Sequence, residues 1–163
     1  MGGQESEIGK EVILLAKKKA LSLLNYCDRT EYQLRKKLEE GEFPPQAIEE
    51  AIRYVYSYHY LDDRRYAENY ILAKRDEKSV FEIREELKLR GVDSEIIEES
   101  LSNAEIDESH TVEIMFLKKF GHKDLSDPKL YEKALRYFAG KRFPYDAAKN
   151  GIRSAIGSIE TDA

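Results

Sequence analysis

Side chains that could carry out catalytic or metal chemistry are few and scattered in this sequence. The three histidines, His59, His110 and His122, are far apart and have no Cys or His neighbour at ligand spacing, which argues against a zinc site. The sequence contains no glycine-rich phosphate loop and no Gly-x-Ser-x-Gly turn. Asp62 and Asp63 could be metal or acid–base carboxylates, but their place before a predicted helix favours an N-cap and a first-turn acid. We therefore expect a protein that is not an enzyme and has no metal or cofactor.

Aromatic side chains are candidates for binding a ligand by stacking. The chain has 11 tyrosines, and tyrosine rings can stack on the bases of single-stranded nucleic acid. Tyr66 and Tyr70 lie on a predicted apolar helix face, so we expect them in the core with hydrated hydroxyl groups. Tyr56, Tyr58 and Tyr60 lie off that face and are the better candidates for a surface role.

Basic side chains are clustered although the chain is acidic overall. There are 27 basic and 32 acidic residues, giving a formal charge of −5. A free-standing DNA-binding domain more often has a pI above about 9. Each short basic cluster is usually a solvated helix face. A chain that is acidic overall but locally basic suits a partner that contains both protein and nucleic acid.

The composition predicts a helical, cytoplasmic protein with a thin core. Of 163 residues, 41% are apolar and 36% charged, and only four are prolines, as in a stack of small helical units. Cys27 is the one cysteine, which favours a reducing compartment. We expect no membrane association, because no apolar run approaches about 18 residues and the N-terminal residues do not resemble a signal peptide.

The sequence contains an internal repeat, and the helices that it predicts position the aromatic and basic side chains. Five apolar positions with spacings of four, five, five and four residues occur three times, at offsets of 49 and 51 residues. They are Leu34, Leu38, Phe43, Ile48 and Ile52; Ile83, Leu87, Val92, Ile97 and Leu101; and Ala134, Phe138, Phe143, Ala148 and Ile152. Residues four apart share one helix face, whereas the step of five breaks the helical period. Each copy therefore predicts a helix, a turn and a second helix.

The helix boundaries are marked by capping residues. The N-capping patterns are Thr30 with Gln33, Ser79 with Glu82, and Asp127. The segment 54–60 alternates apolar and polar residues, which by itself suggests a strand. Because an apolar helix face leads into it and no partner strand is visible, we predict that the helix continues to about Ser57.

A further apolar helical segment precedes each pair, so each repeat contains three helices. We predict an all-α fold of three tandem three-helix repeats, over residues 8–58, 61–103 and 106–157. Three cores joined in sequence cannot share one centre, which predicts an extended monomer.

The second repeat contains a motif in three parts. It reads Leu61-Asp-Asp-Arg-Arg-Tyr-Ala67, then Lys74-Arg75, then Glu86-Leu-Lys-Leu-Arg-Gly-Val92. The first repeat reads Thr30-Glu-x-x-Leu34-x-x-Lys37-Leu38 and Phe43-Pro-x-x-x-Ile48. These residues resemble the RecX family, whose signature is Leu-Asp-Asp-x-x-Phe-Ala, a basic helix end and Glu-Leu-x-x-x-Gly-Ile. The resemblance extends from about Lys17 to Ile152.

Two departures from the family pattern affect the expected structure. Tyr66 stands where the family usually has Phe. Glu42 and Arg142 replace a glycine that the second repeat keeps as Gly91. Because glycine permits a left-handed helix exit, we expect the first and third turns to differ from the second.

The resemblance implies that the three repeats form an elongated, curved array, and it implies a regulatory function. RecX proteins bind RecA, lie along the groove of its filament on single-stranded DNA, and modulate ATPase and strand exchange, usually as inhibitors. It thus implies a role in homologous recombination, DNA repair and the SOS response, with no cofactor. Two other functions stay open, a direct nucleic-acid-binding helical array and a generic helical-repeat scaffold.

The predicted partner-binding residues are basic, and some recur at matched positions in successive repeats. Arg35 matches Arg84 just beyond the apolar face, and Arg90 matches Lys141 at the turn. The full predicted set, expected to face RecA and its DNA, is Arg35, Arg64, Arg65, Lys74, Arg75, Arg84, Lys88, Arg90, Lys141 and Arg142.

Overall fold

Every regular element in the described part of the chain is an α-helix. The structure is a computed structural model that describes the backbone of residues 2–162 and the side chains of residue 7 and residues 9–161. The helices are α1 Gly2–Tyr26, α2 Glu31–Glu40, α3 Pro45–Ser57, α4 Asp63–Lys74, α5 Val80–Leu89, α6 Ser94–Ala104, α7 Glu108–Phe120, α8 Pro128–Gly140 and α9 Tyr145–Asp162. None of these helices has the length and apolarity required to cross a membrane. The predicted all-α, helical-repeat fold is confirmed.

The chain divides into two compact units that do not follow the predicted repeats. Unit 1 comprises residues 1–67 and 87–97, and unit 2 comprises residues 68–86 and 98–163. The core of unit 1 is built mainly from α1, α2 and α3, and that of unit 2 from α7, α8 and α9. All fifteen apolar repeat positions are buried except Phe43, which is partly buried. The spacing therefore identified core positions correctly.

The predicted helix starts are confirmed in atomic detail. The hydroxyl of Thr30 accepts a hydrogen bond from the Gln33 N–H, and the Gln33 side chain accepts one from the Thr30 N–H. Ser79 and Glu82 make the same reciprocal pair. Asp127 accepts from the N–H of the second residue of α8. The alternating segment 54–60 is not a strand, because α3 runs to Ser57 as predicted.

The expectation that the first and third turns differ from the second is wrong. Glu42, Gly91 and Arg142 all have positive φ, at 60°, 81° and 67°. In each turn the next residue's N–H donates to the carbonyl five residues back, at 3.3, 3.1 and 3.1 Å. These bonds satisfy carbonyls at the helix end, and they hold Glu42 and Arg142 in a conformation that costs a side-chain-bearing residue about 1–2 kcal/mol.

A neighbouring aromatic ring explains why the positive-φ position is glycine in the second turn, whereas it is Glu42 in the first and Arg142 in the third. A Cβ added at Gly91 would overlap the Cβ and Cγ atoms of Tyr32, on α2. At the third turn the matching ring is Phe81, and the Arg142 guanidinium carbon lies 5.1 Å from its centroid. The close approach of Tyr32 therefore requires glycine, whereas the third turn accommodates a stacked arginine.

Candidate partner-binding surface

Arg35 and Arg84, the first matched pair, hold together the two helices of their own repeats. Arg35 on α2 forms an ion pair with Glu49 on α3. Arg84 on α5 bonds both carboxylate oxygens of Glu98 on α6, at 2.6 and 3.3 Å. The hydrogen bond from Arg35 lowers the pKa of the Glu49 carboxyl, and the bonds to Glu98 raise the pKa of Arg84.

The third repeat has no counterpart of this ion pair. Leu135 occupies the position of Arg84, and Lys149 occupies that of Glu98. If the arginine were repeated in order to contact a long partner, the third repeat should keep it even without a glutamate to pair with. The third repeat has Leu135 at that position instead. The pairing therefore favours an internal, structural role for Arg35 and Arg84.

The second matched pair, Arg90 and Lys141, lies where one repeat meets the next. The Thr30 hydroxyl donates to the Arg90 carbonyl at 2.5 Å, and the Ser79 hydroxyl donates to the Lys141 carbonyl at 2.6 Å. Both hydroxyl-bearing residues are fully buried. The capping residue that starts α2 or α5 thus also bonds the turn of the following repeat.

Acidic side chains complete each of these junctions. The Glu31 N–H donates to the Asp63 carboxylate at 2.9 Å, and the Val80 N–H donates to the Glu108 carboxylate at 2.8 Å. In both cases the first amide of a helix, which has no partner within the helix, is bound by an acid from the following repeat. Burial raises the pKa of the Asp63 carboxyl, and this hydrogen bond only partly offsets the effect.

The cationic side chains at the turns contact aromatic groups. The Arg90 guanidinium donates to the Tyr66 hydroxyl at 2.6 Å. The Lys141 ammonium lies 5.8 Å from the centre of the Tyr137 ring. Together with the stacking of Arg142 on Phe81, these contacts orient the cations at both junctions.

The remaining predicted residues lie on α4 and at the end of α5. Arg65 donates to the His59 and Tyr60 carbonyls at 3.0 and 3.3 Å, and Lys74 forms an ion pair with Glu77 at 3.6 Å. Arg64 and Lys88 are exposed. Arg75 is partly exposed, and its carbonyl accepts a 2.7 Å bond from the Thr111 hydroxyl.

The ten predicted residues are divided equally between the two compact units. Unit 1 contains Arg35, Arg64, Arg65, Lys88 and Arg90, and unit 2 contains Lys74, Arg75, Arg84, Lys141 and Arg142. Sequence reasoning missed the acidic partners, Glu49, Glu98, Asp63 and Glu108. The sequence did contain a signal for two of them, because Arg35 and Arg84 are each followed by a glutamate fourteen residues later.

The carboxylates singled out for possible catalysis serve at helix N-termini. Asp62 accepts from the Arg65 N–H at 3.1 Å, as an N-cap does, and Asp63 holds the start of α2. Among the described residues, no group of three or more His, Cys, Asp or Glu side chains is placed to hold a metal ion. The arrangement is one of helix ends, ion pairs and exposed cations, which can bind a partner.

Comparisons with known proteins identify the family. Residues 16–54 match the family model "RecX, first three-helix domain", and residues 62–101 match "RecX, second three-helix domain". Regulatory protein RecX of Haemophilus influenzae strain PittGG is 33% identical over 129 residues, covering 77% of this chain and 85% of that protein. The Clostridium acetobutylicum protein of the same name is 31% identical over 144 residues, covering 85% and 67%.

Solved structures share the fold. The crystal structure of RecX from Lactobacillus salivarius superposes with a TM-score of 0.73 at 22% identity, covering 90% of this chain and 97% of that one. A second crystal structure, of a regulatory protein RecX, gives 0.72 at 20% identity, covering 91% and 76%. The motifs, the two matched domains and these relatives agree, and the chain therefore belongs to the RecX family of regulatory proteins.

Proposed function

We propose that this chain binds RecA and its filament on single-stranded DNA, and that it inhibits the ATPase and strand-exchange activities of RecA. It acts by binding, without catalysing a reaction, as a cytoplasmic monomer. The observation that carries the proposal is the family membership, since the relatives in that family are regulatory proteins. Asp62 and Asp63, the carboxylates considered for catalysis, bind backbone amides at helix N-termini.

Two of the predicted basic residues, Arg35 and Arg84, are poor choices for testing partner contact. Arg35 and Arg84 are engaged by glutamates on the adjacent helix of the same repeat. Reversing either charge would place two carboxylates together, so loss of activity would be confounded with loss of stability. In unit 1 we assign partner contact to Arg64 and Lys88, whose side chains are exposed.

The test is the rate of ATP hydrolysis by RecA on single-stranded DNA, measured with increasing amounts of this protein. Wild type should lower the rate of ATP hydrolysis. Arg64→Glu/Lys88→Glu should need at least about tenfold more protein for the same effect, because the introduced glutamates would be repelled by negative charges on the filament. Lys118→Glu/Lys123→Glu is the matched control, since it changes two exposed cations in unit 2 by the same net charge.

Two outcomes would contradict parts of this proposal, and a stability measurement serves as the control. No effect of the wild-type protein on the ATPase at any concentration would refute the proposed function. Equal losses in the two charge-reversal variants would indicate a diffuse charge effect and refute the assigned contact. Thermal unfolding of both variants should match wild type, because exposed single charges contribute little to stability.

A further inference from the structure

A groove of about 360 Å³ is lined by the C-terminal parts of α4 and α6, which both belong to unit 2. Ile71 and Ser100 are buried in its lining, whereas Leu72 is 68% exposed. A volume of this size lies within the range of ligand-binding clefts. We call it the α4–α6 groove.

The lining of the α4–α6 groove contains a buried hydroxyl. Ser100 is 2% exposed, and its Oγ forms no hydrogen bond within the part of the chain that the structure describes. The other repeats have Ala51 and Gly151 at this position, both buried. Packing therefore requires a small residue here but no hydroxyl. Because burying an unpaired hydroxyl is unfavourable, a ligand that supplies the hydrogen bond explains the serine.

The second repeat is also less closed than the other two at this place. Val55 and Ala155 occupy the position of Ala104 and are fully buried, whereas Ala104 is partly exposed. Tyr54 occupies the position of Asn103, and its ring packs partly against the core of unit 1. The second repeat thus has a methyl group and an amide where the first has two larger side chains.

The neutral groups of the groove match a peptide segment. Asn69 and Asn103 are exposed in the lining, and each amide side chain offers both a donor and an acceptor. A peptide group likewise carries one donor and one acceptor. Leu72 and Ala104 add an apolar surface on which one apolar side chain can pack.

The first and last α4 residues of the lining carry opposite charges. Glu68 and Arg75 are seven residues apart, which places them on one helix face about 10 Å apart along the axis. The Arg75 N–H still donates to the Ile71 carbonyl at 2.9 Å, as in a helix. Three alternate residues of an extended peptide share one face and span about 14 Å, which the long Glu68 and Arg75 side chains can reach. A charge pair of this kind does not suit the polyanionic backbone of a nucleic acid.

We propose that the α4–α6 groove binds an extended segment of a protein. A basic residue of that segment pairs with Glu68, and an acidic residue four positions later pairs with Arg75. The apolar residue between them packs on Leu72 and Ala104, and the segment supplies a hydrogen bond to the Ser100 hydroxyl. This site goes beyond the proposed function, because it takes a peptide without RecA or DNA.

A short peptide measures this binding on the full chain. The probe is acetyl-Lys-Ala-Leu-Ala-Asp-amide, titrated into ¹⁵N-labelled protein and followed by amide chemical shifts. The control peptide has glycine in place of leucine and the same charges. Wild type should bind the leucine peptide at least about fivefold more tightly, because it buries one more apolar side chain. The largest shift changes should fall in residues 68–75 and 100–104.

Three single variants test the groove itself. Ser100→Ala should weaken binding of the leucine peptide by about fivefold, and it should unfold at the same or a higher urea concentration, since the first repeat accommodates Ala51. Leu72→Ala should weaken binding by about threefold or more. Leu89→Ala is the matched control, because it removes a leucine 82% exposed on α5 in unit 1, and it should bind as wild type does.

Several results would overturn the inference. Two of them need no variant, namely equal wild-type affinity for the two peptides and no detectable binding of either. Shift changes away from the groove, or unchanged affinity in a folded Ser100→Ala variant, would do so as well. Equal losses in Leu72→Ala and Leu89→Ala would show unspecific apolar association. Because the RecA ATPase is measured without peptide, a negative peptide result leaves the proposed function standing, and the reverse also holds.

Discussion

At the scale of single residues, local neighbours decide how each matched position is used. Arg35 and Arg84 occupy the same repeat position, and each is drawn to a glutamate on the next helix. Ion pairs of this partly exposed kind contribute only about 0.2–1 kcal/mol each to stability. Their value is in orienting two helices of one repeat, and this role makes them poor choices for testing the proposed contact with RecA.

The three left-handed turn residues give a prediction at the same scale. Glu42→Gly should raise the free energy of unfolding by about 1 kcal/mol, because glycine relieves the cost of positive φ. Gly91→Ala should lower it by more than about 2 kcal/mol, since its Cβ would collide with Tyr32 in addition to being strained. Urea unfolding of both variants checks this, and equal effects at the two turns would contradict it.

At the scale of elements, α2 and α5 begin in the same way and are stabilised from outside their own repeat. In each helix a buried hydroxyl, of Thr30 or Ser79, accepts a hydrogen bond from an amide of the first turn and donates one to the turn of the next repeat. A carboxylate of that next repeat accepts a hydrogen bond from the first amide of the helix. In the third repeat, Leu130 occupies the position of Ser79, and α8 begins one turn earlier, at Pro128. The third repeat therefore lacks the residues that would continue this junction.

The acid at the first junction predicts a particular pH dependence. Because burial raises the pKa of Asp63 in the folded chain, the folded state binds this proton more tightly than the unfolded state does. The contribution of Asp63 to stability therefore falls as pH rises from about 4 through its folded pKa. Asp63→Asn keeps an oxygen to accept from Glu31 N–H and removes this titration.

Urea unfolding across the acid-to-neutral range tests the prediction. The free energy of unfolding of wild type, minus that of Asp63→Asn, should decrease as pH rises and level off toward neutrality. A difference that is constant with pH would show that Asp63 has the same pKa in both states. A difference that increases with pH would mean that the hydrogen bond outweighs burial.

At the scale of the whole molecule, the middle repeat is divided between the two compact units. Residues 87–97 belong to unit 1, whereas residues 68–86 and the end of α6 belong to unit 2. The predicted boundaries at 61 and 103 therefore delimit a repeat in the sequence. The stability of this middle repeat should depend on the repeats before and after it, as it does in other repeat proteins.

Excision of the middle repeat tests this dependence. A fragment of residues 61–103 should show no cooperative thermal unfolding by circular dichroism, because 43 residues bury too little surface alone. A fragment of residues 1–103 contains all of unit 1 and should unfold cooperatively. Cooperative unfolding of the short fragment would instead establish the repeats as independent domains.

Much of the fold could be predicted because its signals are local or periodic. The helix starts at Thr30, Ser79 and Asp127 follow from side chains that satisfy amides within the same helical turn. Burial of Leu38, Leu87 and Phe138 follows from helical period and repetition. The family could be recognised from the Leu61–Ala67 motif for the same reason, because such motifs are contiguous.

Contacts between residues that are distant in the sequence could be established only from the tertiary structure. Spacing alone could not show that Arg84 pairs with Glu98, that Asp63 binds the start of α2, or that Tyr32 covers Gly91. The similar shape of the three turns was mispredicted from residue type, since bonds across each turn impose positive φ on Glu42 and Arg142 as well. Local sequence determines which faces must be buried, and packing determines which polar side chains those buried faces leave available to a partner.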